Sequence, residues 1–198
     1  YLNLVAERPL LVSQPGWATG LGSFAFHPEF EKNGLFYTSH TEPGGSGKAD
    51  VGYTDSLKVF MQWVLTEWKA SDPKSKIFKG TSRELLRVNN ASQAHGMQEL
   101  TFNPMAKKGL DEDYGLLYIG YGDGGTAEAG FPEISNHQGR GMYSGIWRID
   151  PLGTSGRNGK YGIPASNPFA KSKDKELYAY GFRNPNRIFW DGSGRLFA

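Results

Sequence analysis

The chain has 198 residues, with 22 Lys and Arg set against 20 Asp and Glu. The charges are interspersed, a balance that excludes the basic footprint of a nucleic-acid binder or of a protein drawn to anionic membranes. No apolar run reaches the ~18 residues that a membrane span needs, and the absence of cysteine removes disulfides, thiolate zinc sites and cysteine nucleophiles.

Glycine at 27 residues and proline at 11 favour many turns between short strands over long helices, so the expected class is all-β. In chain order, stretches rich in aromatic and β-branched residues predict strands at 35–41, 57–68, 84–88, 116–121, 146–149 and 177–180. The stretch from Val59 to Trp68 also admits a helical reading, but its aromatic content and its Asp-Pro and Gly-rich flanks favour a strand. Residues 44–55, 69–80 and 126–145 read as loops.

An internal repeat organises these segments. Ala25-Phe26-His27-Pro28 is followed by Gly34-Leu35-Phe36-Tyr37, and Thr101-Phe102-Asn103-Pro104 by Gly115-Leu116-Leu117-Tyr118. A degenerate third copy is Ile188-Phe189-Trp190-Asp191, then Gly194-Arg195-Leu196-Phe197. Each copy predicts a strand, a turn and a strand. Radial repetition of hairpins is how propellers manage their sheet edges, so the expectation is about three blades, half of a six-bladed ring. The sequence stops at Ala198 within a strand-like segment, which suggests part of a longer protein.

Several residues could carry chemistry. His95, in Ala94-His95-Gly96, could act as a general base from a loop; alone, a loop-anchoring role is as natural. Asp123, in Gly122-Asp123-Gly124-Gly125, ends a predicted strand, where it can either form a tight turn or orient a histidine. Arg183 and Asn184, before Pro185, form a turn whose guanidinium could bind a carboxylate or quinone oxygens. His27 belongs to the repeat, where Asn103 replaces it, and reads as structural. The acidic run Asp111 to Asp113 lacks the alternating ligands of a calcium loop. Asn90-Ala91-Ser92 fits a glycosylation acceptor, a pattern common by chance. There is no convincing phosphate loop and no Gly-x-Ser-x-Gly elbow.

Taken in order, these motifs carry a resemblance. Gly20-Leu21-Gly22-Ser23-Phe24-Ala25-Phe26-His27-Pro28, then His95, then Leu117-Tyr118-Ile119-Gly120-Tyr121-Gly122-Asp123-Gly124-Gly125, Gly145-Ile146-Trp147-Arg148-Ile149-Asp150-Pro151 and Tyr180-Gly181-Phe182-Arg183-Asn184-Pro185 resemble the glucose/sorbosone dehydrogenase family, the soluble quinoprotein sugar dehydrogenases. The resemblance implies a six-bladed β-propeller in which residues 1–198 form the N-terminal half of a single domain. It implies pyrroloquinoline quinone (PQQ) and calcium as cofactors, a sugar substrate oxidised at its anomeric carbon to a lactone, and an external electron acceptor. It also implies a periplasmic or extracellular location, with a signal segment outside these residues.

By position, the catalytic residues would be His95, Asp123 and Arg183, and the cofactor contacts His95, Arg183 and Asn184. The calcium ligands would fall beyond residue 198, and the rest of the propeller or a partner chain would close the ring. Two departures stand out. Met97 and Gln98 occupy positions where the family commonly has glycines, and are expected to crowd the cofactor. Ala18 and Thr19 replace a polar residue and a glycine before the first repeat, which predicts a missing cofactor contact. The alternative function is a non-catalytic propeller binding module of the same family.

Overall fold

The computed structural model describes residues 1–53, 57–127, 130, 131, 134 and 141–198. Its strands are β1 (Leu21–Phe26), β2 (Leu35–Pro43), β3 (Met61–Ala70), β4 (Gly80–Asn90), β5 (Met97–Phe102), β6 (Leu117–Tyr121), β7 (Gly145–Ile149), β8 (Leu177–Tyr180), β9 (Phe189–Trp190) and β10 (Leu196–Phe197). Two single-turn helices, α1 (Leu4–Glu7) and α2 (Phe30–Asn33), complete the described elements.

The strands form two antiparallel meanders, β1-β2-β3-β4 and β5-β6-β7-β8, and a hairpin of β9 with β10. The repeat read from sequence is the first hairpin of each: β1 with β2, β5 with β6, and β9 with β10. A shared turn explains it. The side chain that follows the first strand accepts the amide two residues on: His27 Nδ1 from Glu29 N at 3.0 Å, Asn103 Oδ1 from Met105 N at 2.9 Å, and Asp191 Oδ1 from Ser193 N at 2.9 Å. A short side-chain acceptor at this point closes the turn by mimicking a backbone carbonyl. His27 is therefore structural, as expected. The third copy is offset by one residue, because Asp191 rather than Trp190 takes the closing position.

The stretch with two readings is a strand. It begins at Met61 and runs to Ala70, with Trp63 paired opposite both Thr41 and Val88. The predicted loop 69–80 shrinks to 71–79, since Lys69, Ala70 and Gly80 all join the ladder. Of the other two predicted loops, residues 54, 55, 128, 129, 132, 133 and 135–140 lie outside the described residues. Asp111 and Asp113 are held in turn hydrogen bonds, Asp111 Oδ2 accepting from Lys107 N and Asp113 Oδ2 from the Asn103 amide, each at 2.7 Å.

Strand alternation sorts β6 between two cores. Leu117, Ile119 and Tyr121 join Trp63, Leu65, Val88, Met97 and Trp147 between the two meanders, whereas Tyr118 packs with Ile146 and Ile188 on the opposite face. Burying each such aliphatic side chain is worth about 1.5–3 kcal/mol. Residues of the second meander thus pack on both of its faces, and connections at one end gather His95, Asp123, Arg183 and Asn184.

Candidate functional site

Three connections meet at the end of β6. Residues 91–96 join β4 to β5, the turn 122–125 leaves β6, and residues 181–188 leave β8. Main-chain hydrogen bonds hold the three together: Gly122 N to Gly96 O at 3.2 Å, Gly124 N to His95 O at 2.9 Å, Ser92 N to Gly124 O at 3.1 Å and Asp123 N to Arg183 O at 3.0 Å. Gly122 is required by this crowding. A Cβ there would stand 2.5 Å from the His95 carbonyl oxygen and 2.8 Å from Asn184 Oδ1.

Within that frame His95 Nδ1 lies 2.7 Å from Asp123 Oδ1. Asp123 is fully buried, and the His95 side chain keeps 18% of its surface accessible. The same Asp123 oxygen accepts from Gly125 N at 2.9 Å. A buried carboxylate facing Nδ1 assigns the proton to that nitrogen, which leaves Nε2 as the basic atom. His95 has φ 53 and Ser144 φ 61, the two positive-φ residues other than glycine among those described; Ser144 N bonds to Gly122 O at 3.0 Å. Left-handed backbone at a non-glycine residue costs about 1–3 kcal/mol and persists where its surroundings over-determine it.

Arg183 brings its Nε within 3.8 Å of Asp123 Oδ2, with 45% of its side chain exposed. The Asn184 Oδ1 atom is buried beside Gly122 and has no hydrogen-bond partner among the described residues. All four residues singled out from sequence therefore converge, although 95 and 183 are far apart in the chain. Such an arrangement can take a proton at His95 Nε2, stabilise the resulting imidazolium through Asp123, and present a guanidinium and an amide to a neighbouring polar ligand.

The expectation that Met97 crowds this site is corrected. Met97 opens β5 opposite Tyr121, is fully buried and belongs to the core between the meanders. Gln98 is half-buried, and its backbone carbonyl accepts from Arg187 Nη1 at 3.1 Å. Ala18 does adjoin the site, its amide donating to Gln93 O at 3.1 Å. Sequence reasoning missed Asn90, which is fully buried. Its apparent glycosylation pattern is overridden by burial of the amide, which binds Ser92 O, Ala94 O and the Tyr121 hydroxyl. Burial also pushes the Tyr121 phenol well above its usual range, so it remains a donor. Gly96 was missed too. The indole of Trp63 lies where its Cβ would be.

The chain is similar to HIPL1 protein of Arabidopsis thaliana, at 29% identity over 207 residues, covering 88% of this chain and 28% of that protein. It is similar to Hedgehog-interacting protein of Mus musculus, also at 29%, covering 87% of this chain and 22% of that protein. It therefore spans about a quarter of the length of these relatives. Among solved structures, the PQQ-bound aldose sugar dehydrogenase of Streptomyces coelicolor superposes with a TM-score of 0.58 at 19% identity, covering 93% of this chain and 42% of that one. The shared fold is a β-propeller, of which these residues form part. The profile of the family described as Glucose / Sorbosone dehydrogenase matches residues 4–198, and the chain belongs to that family.

Proposed function

We propose that this chain supplies the base side of a PQQ-dependent aldose dehydrogenase site, which oxidises a sugar at its anomeric carbon to the lactone. The observation that carries the reading is the His95–Asp123 pair: a partly accessible imidazole 2.7 Å from a fully buried carboxylate. The residues present fit a quinone bearing carboxylates. The Arg183 guanidinium, exposed beside the pair, is a fork of donors matched to carboxylate and quinone oxygens, and the neighbouring Asn184 amide could add its Nδ2 donors.

When bound, PQQ supplies a two-electron acceptor for the hydride that leaves the anomeric carbon. His95 Nε2 takes the anomeric hydroxyl proton as that C–H bond breaks, and the carbonyl of the lactone forms. Asp123 holds the ring through Nδ1–H and stabilises the imidazolium. Arg183 and Asn184 would hold the cofactor, with the guanidinium offsetting charge that develops on its oxygens. Calcium and an external electron acceptor complete the proposed system. The same reading has residues 1–198 as the N-terminal half of one propeller domain, closed by further chain or a partner, in a periplasmic or extracellular protein.

The test is to add PQQ and calcium to the full-length protein and follow aldose-dependent bleaching of a redox dye. His95→Gln should reduce turnover by about two to four orders of magnitude, the range for a positioned general base, with the thermal midpoint little changed. Normal turnover in that variant would remove His95 from the chemistry. A second reading, a propeller binding module, is favoured by the 29% identity to Hedgehog-interacting protein and by Ala18 where the family has a polar residue. Absence of any bleaching at saturating PQQ, with protein partners captured through the same loops, would decide for it.

A further inference from the structure

We propose that Asn90 is the positioning residue that keeps the His95 imidazole aligned with Asp123, an inference that rests on the reading of His95 as the base. Asn90 is the last residue of β4 and fully buried. Its Nδ2 donates to Ser92 O at 3.1 Å and to Ala94 O at 2.8 Å, and its Oδ1 accepts from the Tyr121 hydroxyl at 2.9 Å. The amide orientation follows from this set, because the flipped rotamer would turn its oxygen toward two carbonyl oxygens.

The loop that carries His95 is thus folded around one side chain. Ala94, whose carbonyl Asn90 holds, immediately precedes the left-handed His95, and Ser92 bonds in turn to the carboxylate-bearing turn through Gly124 O. Tyr121 is the last residue of β6, two positions before Asp123. Asn90 Oδ1 also lies 2.8 Å from where a Gly124 Cβ would be. Asn90 therefore holds the backbone of the His95 loop through Ser92 and Ala94 and ties it to the strand before Asp123 through the Tyr121 hydroxyl, and its hydrogen bonds go to neither ring nor carboxylate. Asparagine suits the place: aspartate has no donors for the two carbonyls, and glutamine would add a methylene to a filled space. A conformation as costly as that of His95 needs such constraint from outside the residue.

The experiment follows the His95 Nδ1 proton by NMR in the full-length protein with 15N-labelled histidine, in the wild type and in Asn90→Asp. The wild type should show a slowly exchanging, downfield ring proton from the Asp123 hydrogen bond, and the variant should lose it. In the PQQ-loaded enzyme, kcat should fall about ten- to hundredfold, the scale of an ångström-level misplacement, with KM for the aldose nearly unchanged. Retention of the wild-type ring proton and its exchange rate in Asn90→Asp would overturn the proposal. Loss of that proton in the variant of a protein that never oxidises an aldose would refute the dehydrogenase reading and support the positioning role. Should the variant fail to fold, native exchange in the wild type decides. The Asn90 amide hydrogens and the His95 ring proton should open together at rates within about an order of magnitude; a far faster Asn90 amide beside a protected ring proton would overturn the proposal.

Discussion

His40 illustrates how burial sets ionisation in this chain. Its ring is fully buried in β2, with Nε2 3.2 Å from Glu42 Oε1, and Arg8 and Arg87 contribute repulsion. Burial is the largest influence and holds its pKa below the ordinary value of 6.5. His27 is displaced in the same direction, also chiefly by burial. The folded form is therefore neutral where the unfolded chain begins to bind protons. The stability these rings contribute is complete above about pH 6.5 and falls as the pH drops through that value toward the folded pKa, with a slope of at most about 1.4 kcal/mol per pH unit for each. The thermal midpoint should decline between pH 7.5 and 5.5, and His40→Gln, which retains a donor for Glu42, should flatten that decline. An equally steep profile in the variant would place the titrating group elsewhere. At this scale the sequence was legible where residues stand in ordered motifs at strand ends and loops that resemble a known family's, as His95, Asp123, Arg183 and Asn184 do. Asn90 was illegible because an amide bound to carbonyls leaves no periodic or chemical signature, and its neighbours spell an acceptor pattern that suggests exposure.

Among the strands, β5 separates two effects that a motif comparison merges. Met97 is locked in the core opposite Tyr121, so Met97→Ala should cost about 2–5 kcal/mol in denaturant unfolding, as buried methionines do. Gln98→Ala, at a half-buried position, should cost under about 1 kcal/mol. A near-neutral Met97→Ala would show that its packing is slack and would reopen the view that this position serves the cofactor. Strand existence was largely legible because aromatic and β-branched residues mark the buried ladders. The limits were not. Gly80, Thr81, Ser82 and Arg83 are exposed and polar, yet they extend β4 because Lys69, Trp68 and Glu67 offer a facing ladder. No local pattern records that tertiary pairing.

Over the whole molecule, the repeat revealed one hairpin per unit but not the pair of outer strands that completes each meander, since β3, β4, β7 and β8 have no repeated turn. The stack of sheets also presents apolar side chains at both ends. Leu21, Phe24 and Phe26 are exposed on β1, and Phe189 and Phe197 on the β9–β10 hairpin. Patches of this kind associate. The 198-residue chain expressed alone should sediment as oligomers at about tens of micromolar, the regime in which exposed apolar surface drives association, and Phe24→Ser with Phe26→Ser should shift it toward monomer. A monodisperse wild-type monomer would show that the exposed faces are tolerated as they stand.

The left-handed backbone at His95 has a consequence for how this position evolves. Glycine would adopt that conformation freely, so the chain forgoes roughly 1 kcal/mol or more of attainable stability to keep an imidazole there. Selection on folding alone would drift toward glycine at position 95. On the proposed reading it is the use of the ring that holds a histidine there, and a descendant released from that use would be free to recover the lost stability by a single substitution.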